Sequence, residues 1–360
     1  MGPVSKAVGP EYAPRGRPAP ACDPGELVFA AVGLDHGHIH GMCNGLTEAG
    51  AELRWAYDPD PSRLSAFLDR HPGVQAARSL SEVLDDADVA LVASARVPAD
   101  HAPFGLEVLA SGRDYFTDKP ALTTLEQLEA VKAACAATGR RYGVYFSERV
   151  HVESAVYAGQ LVAGGAIGRV VHVLGLGPHR PDLGSRPPWF FERERYGGIL
   201  CDIGSHQVEQ FLYFTGNDTA EVVTSRVANF AHKQHPELED FGDCALAGAD
   251  GAAGYFRVDW FTPPGLGAWG DGRTVLVGTG GYIELRKYLD VARSPEGDHV
   301  YLVDDSGEHH MAVAGQVGYP FFGQLVRDCL DRTETSMTQA HIFEAARLCV
   351  VAQERAARLE

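Results

Sequence analysis

The chain has 360 residues, of which 45% are hydrophobic and 22% charged, and a formal net charge of −17. Such a length accommodates two domains with separate cores, and the acidic balance without any Lys/Arg run argues against nucleic acid or an anionic membrane as partner. The seven cysteines are odd in number, scattered and never in a Cys-x-x-Cys pair, which speaks against a disulfide framework or a cysteine zinc site and for a reducing compartment.

Residues 1–24 are rich in Pro, Gly and Ala and contain no apolar core of a secretion signal, so they read as a disordered leader. No run of about 18 apolar residues exists to span a membrane, and the location expected is cytoplasmic. Leu27–Val32 is an unbroken apolar run, the mark of a strand buried on both faces of a parallel sheet. It ends at Gly33, and Leu34-Asp35-His36-Gly37-His38-Ile39-His40-Gly41 leads into a helix to about Gly50. A strand over Leu53–Tyr57 ending in Asp58 follows, then a helix over Pro61–His71 and another over Leu80–Asp86. The series continues with strand Val89–Ala93, helix Pro98–Ser111, strand Asp114–Thr117, helix Leu122–Thr138 and strand Arg141–Phe146. This alternation specifies a doubly wound parallel sheet over 25–146.

The first turn of such a sheet is where a dinucleotide binds, its pyrophosphate on the free N–H groups of the following helix. Asp58 ends the second strand at the distance expected of a ribose-diol acceptor, and a carboxylate there favours NAD over NADP. The glycine turn is degenerate, because Asp35 and His38 stand at the second and third positions of the Gly-x-Gly-x-x-Gly register. The His36/His38/His40 alternation has a metal reading, as in barrel hydrolases, but the strand–helix repeat stops short of a barrel; no metal is expected. Pro120 holds Lys119 extended at the C-terminal edge of the sheet, and Thr123-x-x-Glu126 offers a capping box for the next helix.

From about Ser147 the pattern changes. A helix over Val156–Gly164, a turn at Gly164–Gly168 and a strand over Arg169–Leu176 precede a loop rich in Pro, Arg and aromatics from His179 to Tyr196. Gly197-Gly198 then opens a helix carrying Asp202 and His206, which are four apart and project from one face if both lie on it. A carboxylate beside an imidazole suits general acid/base work; taken alone, the same residues also read as a helix cap and a half-buried surface histidine. Strands over Glu221–Val227, Asp243–Ala249, Ala253–Phe261, Arg273–Gly278 and Tyr282–Lys287, with shorter ones at Val300–Val303 and His310–Val313, suggest a largely antiparallel sheet within 147–360. Amphipathic helices over Phe321–Arg332 and Ala340–Leu359 close the chain.

These motifs together resemble the glucose–fructose oxidoreductase / inositol dehydrogenase / rhizopine catabolism (Gfo/Idh/MocA) oxidoreductases. The resemblance runs from about Leu27 to Arg355. It rests on Pro98-x-x-His101, Asp118-Lys119-Pro120, Gly164-x-x-Ile167-Gly168, Gly197-Gly198 before Asp202-x-x-x-His206, Gly278-x-x-Gly281 and Ala352-Gln353-Glu354. It implies a Rossmann domain followed by an α/β domain whose open sheet joins copies into a homodimer or homotetramer, with nicotinamide between the domains. It further implies catalytic roles for Lys119, which polarises the developing oxyanion, His206, which takes the hydroxyl proton, and Asp202, which orients the sugar or the histidine. Gly33, Asp35, His36, Gly37, His38, Ile39, Asp58, Pro98, His101, Asp118 and Lys119 are the expected NAD-binding set, and Arg149, His179, Arg180 and Trp189 the expected substrate contacts. Three positions depart from the family pattern: Asp118 for glutamate, Ile199 for the third glycine of Gly-Gly-Gly, and the degenerate turn. The activity implied is hydride transfer between nicotinamide and a carbinol of a sugar, cyclitol or related polyol. Two alternatives stay open, a redox-neutral enzyme that retains NAD for elimination or epimerisation, and a non-catalytic ligand-binding protein.

Overall fold

The computed structural model describes residues 20–360, so residues 1–19 of the expected leader lie outside the described residues. In chain order the elements begin with β1 (Val28–Val32), α1 (His38–Glu48), β2 (Glu52–Tyr57), α2 (Pro61–Arg70), β3 (Gln75–Ala76), α3 (Leu80–Leu84) and β4 (Val89–Ser94). They continue with α4 (His101–Ala110), β5 (Asp114–Asp118), α5 (Leu125–Thr138), β6 (Tyr142–Tyr145), α6 (Ser147–Val150), α7 (Glu153–Ala163), β7 (Val170–Pro178), α8 (Arg193–Tyr196) and α9 (Gly204–Thr215). Then come β8 (Ala220–Ala228), β9 (Phe241–Gly248), β10 (Ala253–Asp259), β11 (Arg273–Gly278), β12 (Gly281–Arg286), β13 (His299–Asp304) and β14 (Gly307–Ala312). The chain closes with α10 (Pro320–Asp331), α11 (Gln339–Arg355) and β15 (Ala357–Arg358).

Two compact units result. The first joins the chain up to Tyr145 with Tyr319–Ile342, and the second joins Phe146–Gly318 with Phe343–Glu360. The first is a six-stranded parallel sheet in the order β3-β2-β1-β4-β5-β6. Every residue of β1, β5 and β6 is buried, which is why those strands read as continuous rather than alternating runs. The strand order reverses between β1 and β4, so the C-terminal ends of β1, β2, β4 and β5 form the crevice where ligands bind in such sheets.

The sequence placed all of 147–360 in the second domain, whereas α10 belongs to the first unit. Its buried Phe321 packs on Phe116 and its Phe322 on Tyr145, at centroid distances of 6.0 and 6.1 Å. Gly45 of α1 makes room, since a Cβ there would lie 2.3 Å from the Phe322 ring. Beyond the helix, Arg332 clasps both oxygens of Asp114 at 2.6 and 3.0 Å. The expected capping box is shifted by one residue. Thr124, not Thr123, is the N-cap of α5; its hydroxyl accepts from the N–H of Gln127, whose side-chain oxygen accepts from the N–H of Thr123.

The second unit is a nine-stranded sheet in the order β14-β13-β12-β11-β7-β10-β9-β8-β15. It is mostly antiparallel, as expected, with parallel pairing at β7–β10 and β8–β15. β15 replaces the last turn of the helix expected to reach Leu359: α11 stops at Arg355, and the Leu359 N–H donates to Val227 O. α9 packs on β7, β9, β10 and α6. By strand register Tyr255, Val277 and Tyr282 share one face of this sheet, and they are 36%, 37% and 44% exposed.

Candidate active site

In the first unit the chain leaves β1 at Gly33, whose φ of 75° and whose closeness to the Arg96 side chain (2.3 Å from a built Cβ) both require glycine. Asp58 closes this turn from the end of β2. Its carboxylate accepts from the N–H groups of Leu34 (2.7 Å) and Asp60 (2.8 Å) and from Arg63 Nε (3.1 Å). Arg63 also pairs with Asp35 at 2.8 Å. The turn's first departure from glycine is thus one end of an Asp35–Arg63–Asp58 bridge, and Arg63 is a residue that sequence reasoning missed. α1 starts at His38 after an N-cap, Gly37, that makes no side-chain capping bond, and Ile39 turns into the core. A glycine-opened turn feeding a helix N-terminus is where such a sheet holds a pyrophosphate; here the first N–H groups, of His38, Ile39 and His40, turn to His36 Nδ1, His36 O and Gly37 O.

The second departure has its partner at β5. His38 Nδ1 lies 2.8 Å from Asp118 Oδ1 and His36 Nδ1 3.2 Å from Oδ2, so the two imidazoles grip the carboxylate that stands one methylene short of the family's glutamate. Burial, and then His38, push the His36 ring down to about 4, leaving it neutral at pH 7. Burial would raise the Asp118 carboxyl, but His38 and His36 outweigh it and hold it well below its usual range. The ligand-type atoms of His36, His38 and Asp118 lie within 4.8 Å of one another, a spacing a metal ion could use and one that the imidazole–carboxylate bonds also account for. Asp118 Oδ1 accepts from the Lys119 N–H at 2.7 Å as well. Lys119 is 8% exposed at the head of a cis Lys119–Pro120 bond. His101 is fully buried, with its ring nitrogens 2.7 Å from Pro120 O and 2.8 Å from Arg96 O, so it braces this segment from behind. Pro98 is buried where the turn into α4 begins.

In the second unit Gly197 and Gly198 take positive φ of 86° and 91°, and the chain coils before α9 proper, with the Asp202 N–H donating to Gly198 O at 2.8 Å. Asp202 does not cap the helix, and His206 is buried rather than half-exposed. The Ile199 side chain is fully buried and lies against Gly242 of β9. Around His206 lie residues to which no motif pointed. Glu148 Oε2 accepts from Lys287 Nζ and Gln207 Nε2, both at 2.9 Å, and Gln210 Oε1 accepts from Lys287 Nζ at 2.8 Å. Burial would raise the Glu148 carboxyl, but Lys287, then His206 and His179, hold it well below the usual range.

The expected substrate contacts separate. His179 lies 3.8 Å from Glu148 Oε1 and edge-on to Trp260 and Trp269. Arg149 is paired with Glu209 at 2.5 Å under the Tyr213 ring, and Arg180 donates to the carbonyls of Leu266 and Ala268. Both are braces in this arrangement. Trp189 is partly exposed with its ring against Phe190. Arg186, unnamed by the sequence, stands over Phe190, Trp260 and Trp269 at 4.3, 4.9 and 5.2 Å; burial lowers it to about 10 against the pull of Asp202.

Residues 30–146 match the family described as "Oxidoreductase family, NAD-binding Rossmann fold", and residues 156–284 match the GFO/IDH/MocA C-terminal domain. A solved structure of a provisionally assigned oxidoreductase from Erwinia carotovora atroseptica SCRI1043 is 52% identical, with a TM-score of 0.90 over 93% of this chain and 100% of that one. The NAD(+)-dependent scyllo-inositol 2-dehydrogenase of Bacillus subtilis is 26% identical over 71% of this chain and 72% of its own length. The NADP(+)-dependent scyllo-inositol 2-dehydrogenase IolW of the same organism is 25% identical over 50% of this chain and 49% of its own. No helix of the described residues is long and apolar enough to cross a membrane. A buried lysine after the fifth strand and a buried histidine on α9, on two units that each match their family domain, leave one conclusion: the chain belongs to the GFO/IDH/MocA family of NAD-binding oxidoreductases.

Proposed function

We propose that this oxidoreductase moves hydride between NAD and a ring carbinol of a cyclitol or sugar, with His206 as the proton acceptor. The observation that carries the reading is His206 itself, 2% exposed and set beside an ionised Glu148, an environment suited to a proton-transferring imidazole and poorly suited to an inert one. Bound nicotinamide supplies the hydride acceptor. The turn from Gly33 to Ile39 would hold its pyrophosphate, with Asp58 and Arg63 at the ribose. In the oxidative direction His206 takes the hydroxyl proton, and the Lys119 ammonium is suited to stabilising a developing oxyanion. Asp202 orients the substrate or the imidazole. The inositol specificity of the two Bacillus relatives supports the choice of substrate class. A panel of inositols and aldoses, followed by NADH fluorescence, tests the reading: NAD+ reduction by a polyol supports it, and a protein that neither binds NADH nor reduces NAD+ with any of them refutes it. No part is proposed for a metal, and stoichiometric metal in the purified protein would contradict that.

The coenzyme choice follows from charge. Arg63 would welcome a 2′-phosphate, but Asp35 and Asp58 already neutralise it, so NAD is favoured over NADP. Asp58→Ala is expected to raise the kcat/KM ratio of NADP+ to NAD+ by about tenfold or more, the effect of roughly 1.4 kcal/mol of relieved repulsion. An unchanged ratio contradicts the assignment of Asp58 to the ribose. The exposed face with Tyr255, Val277 and Tyr282 is proposed as the contact between copies of the chain. Val277→Glu/Tyr282→Lys is expected to halve or quarter the mass measured by light scattering, and an unaltered oligomer contradicts the proposal.

A further inference from the structure

Beneath His206 lies a closed ring of buried hydrogen bonds. Lys287 Nζ donates to Glu148 Oε2 and to Gln210 Oε1; Gln207 Nε2 donates to the same Glu148 oxygen; Gln210 Nε2 donates to the backbone carbonyl of His206 at 2.8 Å. Thr274 Oγ1 adds a bond to Gln210 Oε1 at 3.2 Å. None of Glu148, Lys287, His206, Gln207 and Gln210 is more than 3% exposed. Taking two charges so far out of water is costly, and replacing such a pair with apolar residues is often neutral or stabilising, so the pair is weak evidence for a stability role. Its placement suggests another use. Gln207 directly follows the residue that bears the imidazole, Gln210 lies one turn beyond it, and both are tied to the ion pair.

Glu148 has one oxygen in the ring. The other, Oε1, is buried and takes no hydrogen bond among the described residues, and His179 Nε2 stands 3.8 Å from it. The remaining charges on α9 and on the elements packed against it are matched elsewhere. Arg149 pairs with Glu209, Arg257 with Asp259 and Asp243 with Arg226, while Asp202 acts on Arg186. His172 on β7 is partly exposed.

We propose that Glu148 and Lys287 are positioning residues of the His206 site: through Gln207 and Gln210 the pair fixes the turn that carries His206, and the Glu148 carboxylate makes the imidazole a stronger base. Lys287 keeps the carboxylate charged at this depth, and the carboxylate favours a proton on the neighbouring rings. The inference rests on His206 as proton acceptor, but its test needs no turnover, so a protein that oxidises no polyol would still report it.

The test is an NMR titration of the full chain with labelled histidine, the His206 resonance being assigned with His206→Asn. In Glu148→Gln the His206 pKa is expected to fall by about one unit, a tenfold loss of proton affinity. Glu148→Asp, which keeps the charge, is expected to retain most of the parent value, and Gln207→Ala, which removes a ring bond without touching a charge, is expected to move it less than Glu148→Gln. If Glu148→Gln does not fold, the neutral double variant Glu148→Gln/Lys287→Gln takes its place. There the fall is smaller but of the same sign, because the carboxylate is the end of the pair that faces the histidines. A His206 titration that coincides with the parent's, or that moves equally in Gln207→Ala and Glu148→Gln, would overturn the proposal.

Discussion

His206→Asn is expected to lower kcat for polyol oxidation by about 10²- to 10⁴-fold, the range that a positioned general base contributes, while NADH affinity stays within a factor of about two. The separation is expected because every residue proposed to hold the dinucleotide lies in the first unit and His206 in the second. Asparagine keeps a polar group in the buried position and leaves the backbone carbonyl that Gln210 holds. Steady-state kinetics paired with a fluorescence titration of NADH make the check. If kcat survives, the proton leaves by another route; if NADH binding collapses with it, the substitution has damaged the fold and the histidine's role must be read from a milder variant such as His206→Gln.

Lys119→Met is the second large effect, about 10²- to 10³-fold on kcat, comparable to removing one preorganised donor from a developing oxyanion. The lysine begins at the end of a fully buried strand. Its N–H is bound to Asp118, and its neighbour Pro120 is braced through His101. This rigidity makes Lys119→Arg a poor rescue, because a planar guanidinium on a longer stem cannot occupy the place of a compact ammonium. Kinetics of the two variants against a common substrate decide the point: an arginine variant with parental kcat would show that charge alone suffices, and a methionine variant with parental kcat would remove Lys119 from the chemistry.

Much of this arrangement was legible in the sequence where the signal was local. The apolar run of β1, the glycine turn, Asp58 at the end of β2 and the Lys119–Pro120 pair are each read from a few adjacent residues, and each sits where a doubly wound sheet puts it. The signal failed where a residue's partner is remote. His38 and Asp118 are 80 positions apart, and Glu148 and Lys287 139 apart, so no spacing relates the imidazoles to the short carboxylate or the lysine to its counter-ion. Periodicity shows that α10 has an apolar face but not which core receives it, so a boundary drawn at 147 separates the helix from the unit it packs in. The cap of α5 slipped by one because adjacent threonines, Thr123 and Thr124, each have a Glu or Gln three residues on. The partners of Arg149 and Arg180, a carboxylate and a pair of carbonyls, are likewise invisible until the chain is folded.

Lys119 and His206 are proposed to serve the same step, hydride transfer between a polyol carbinol and NAD. A double-mutant cycle on kcat/KM for NAD+ reduction by the best polyol, using Lys119→Met, His206→Asn and their combination, tests it most directly. Groups that serve one transition state are expected to be strongly non-additive, with the double variant little worse than the more damaged single. Losses that multiply cleanly, or a single variant with undiminished kcat/KM, would contradict it.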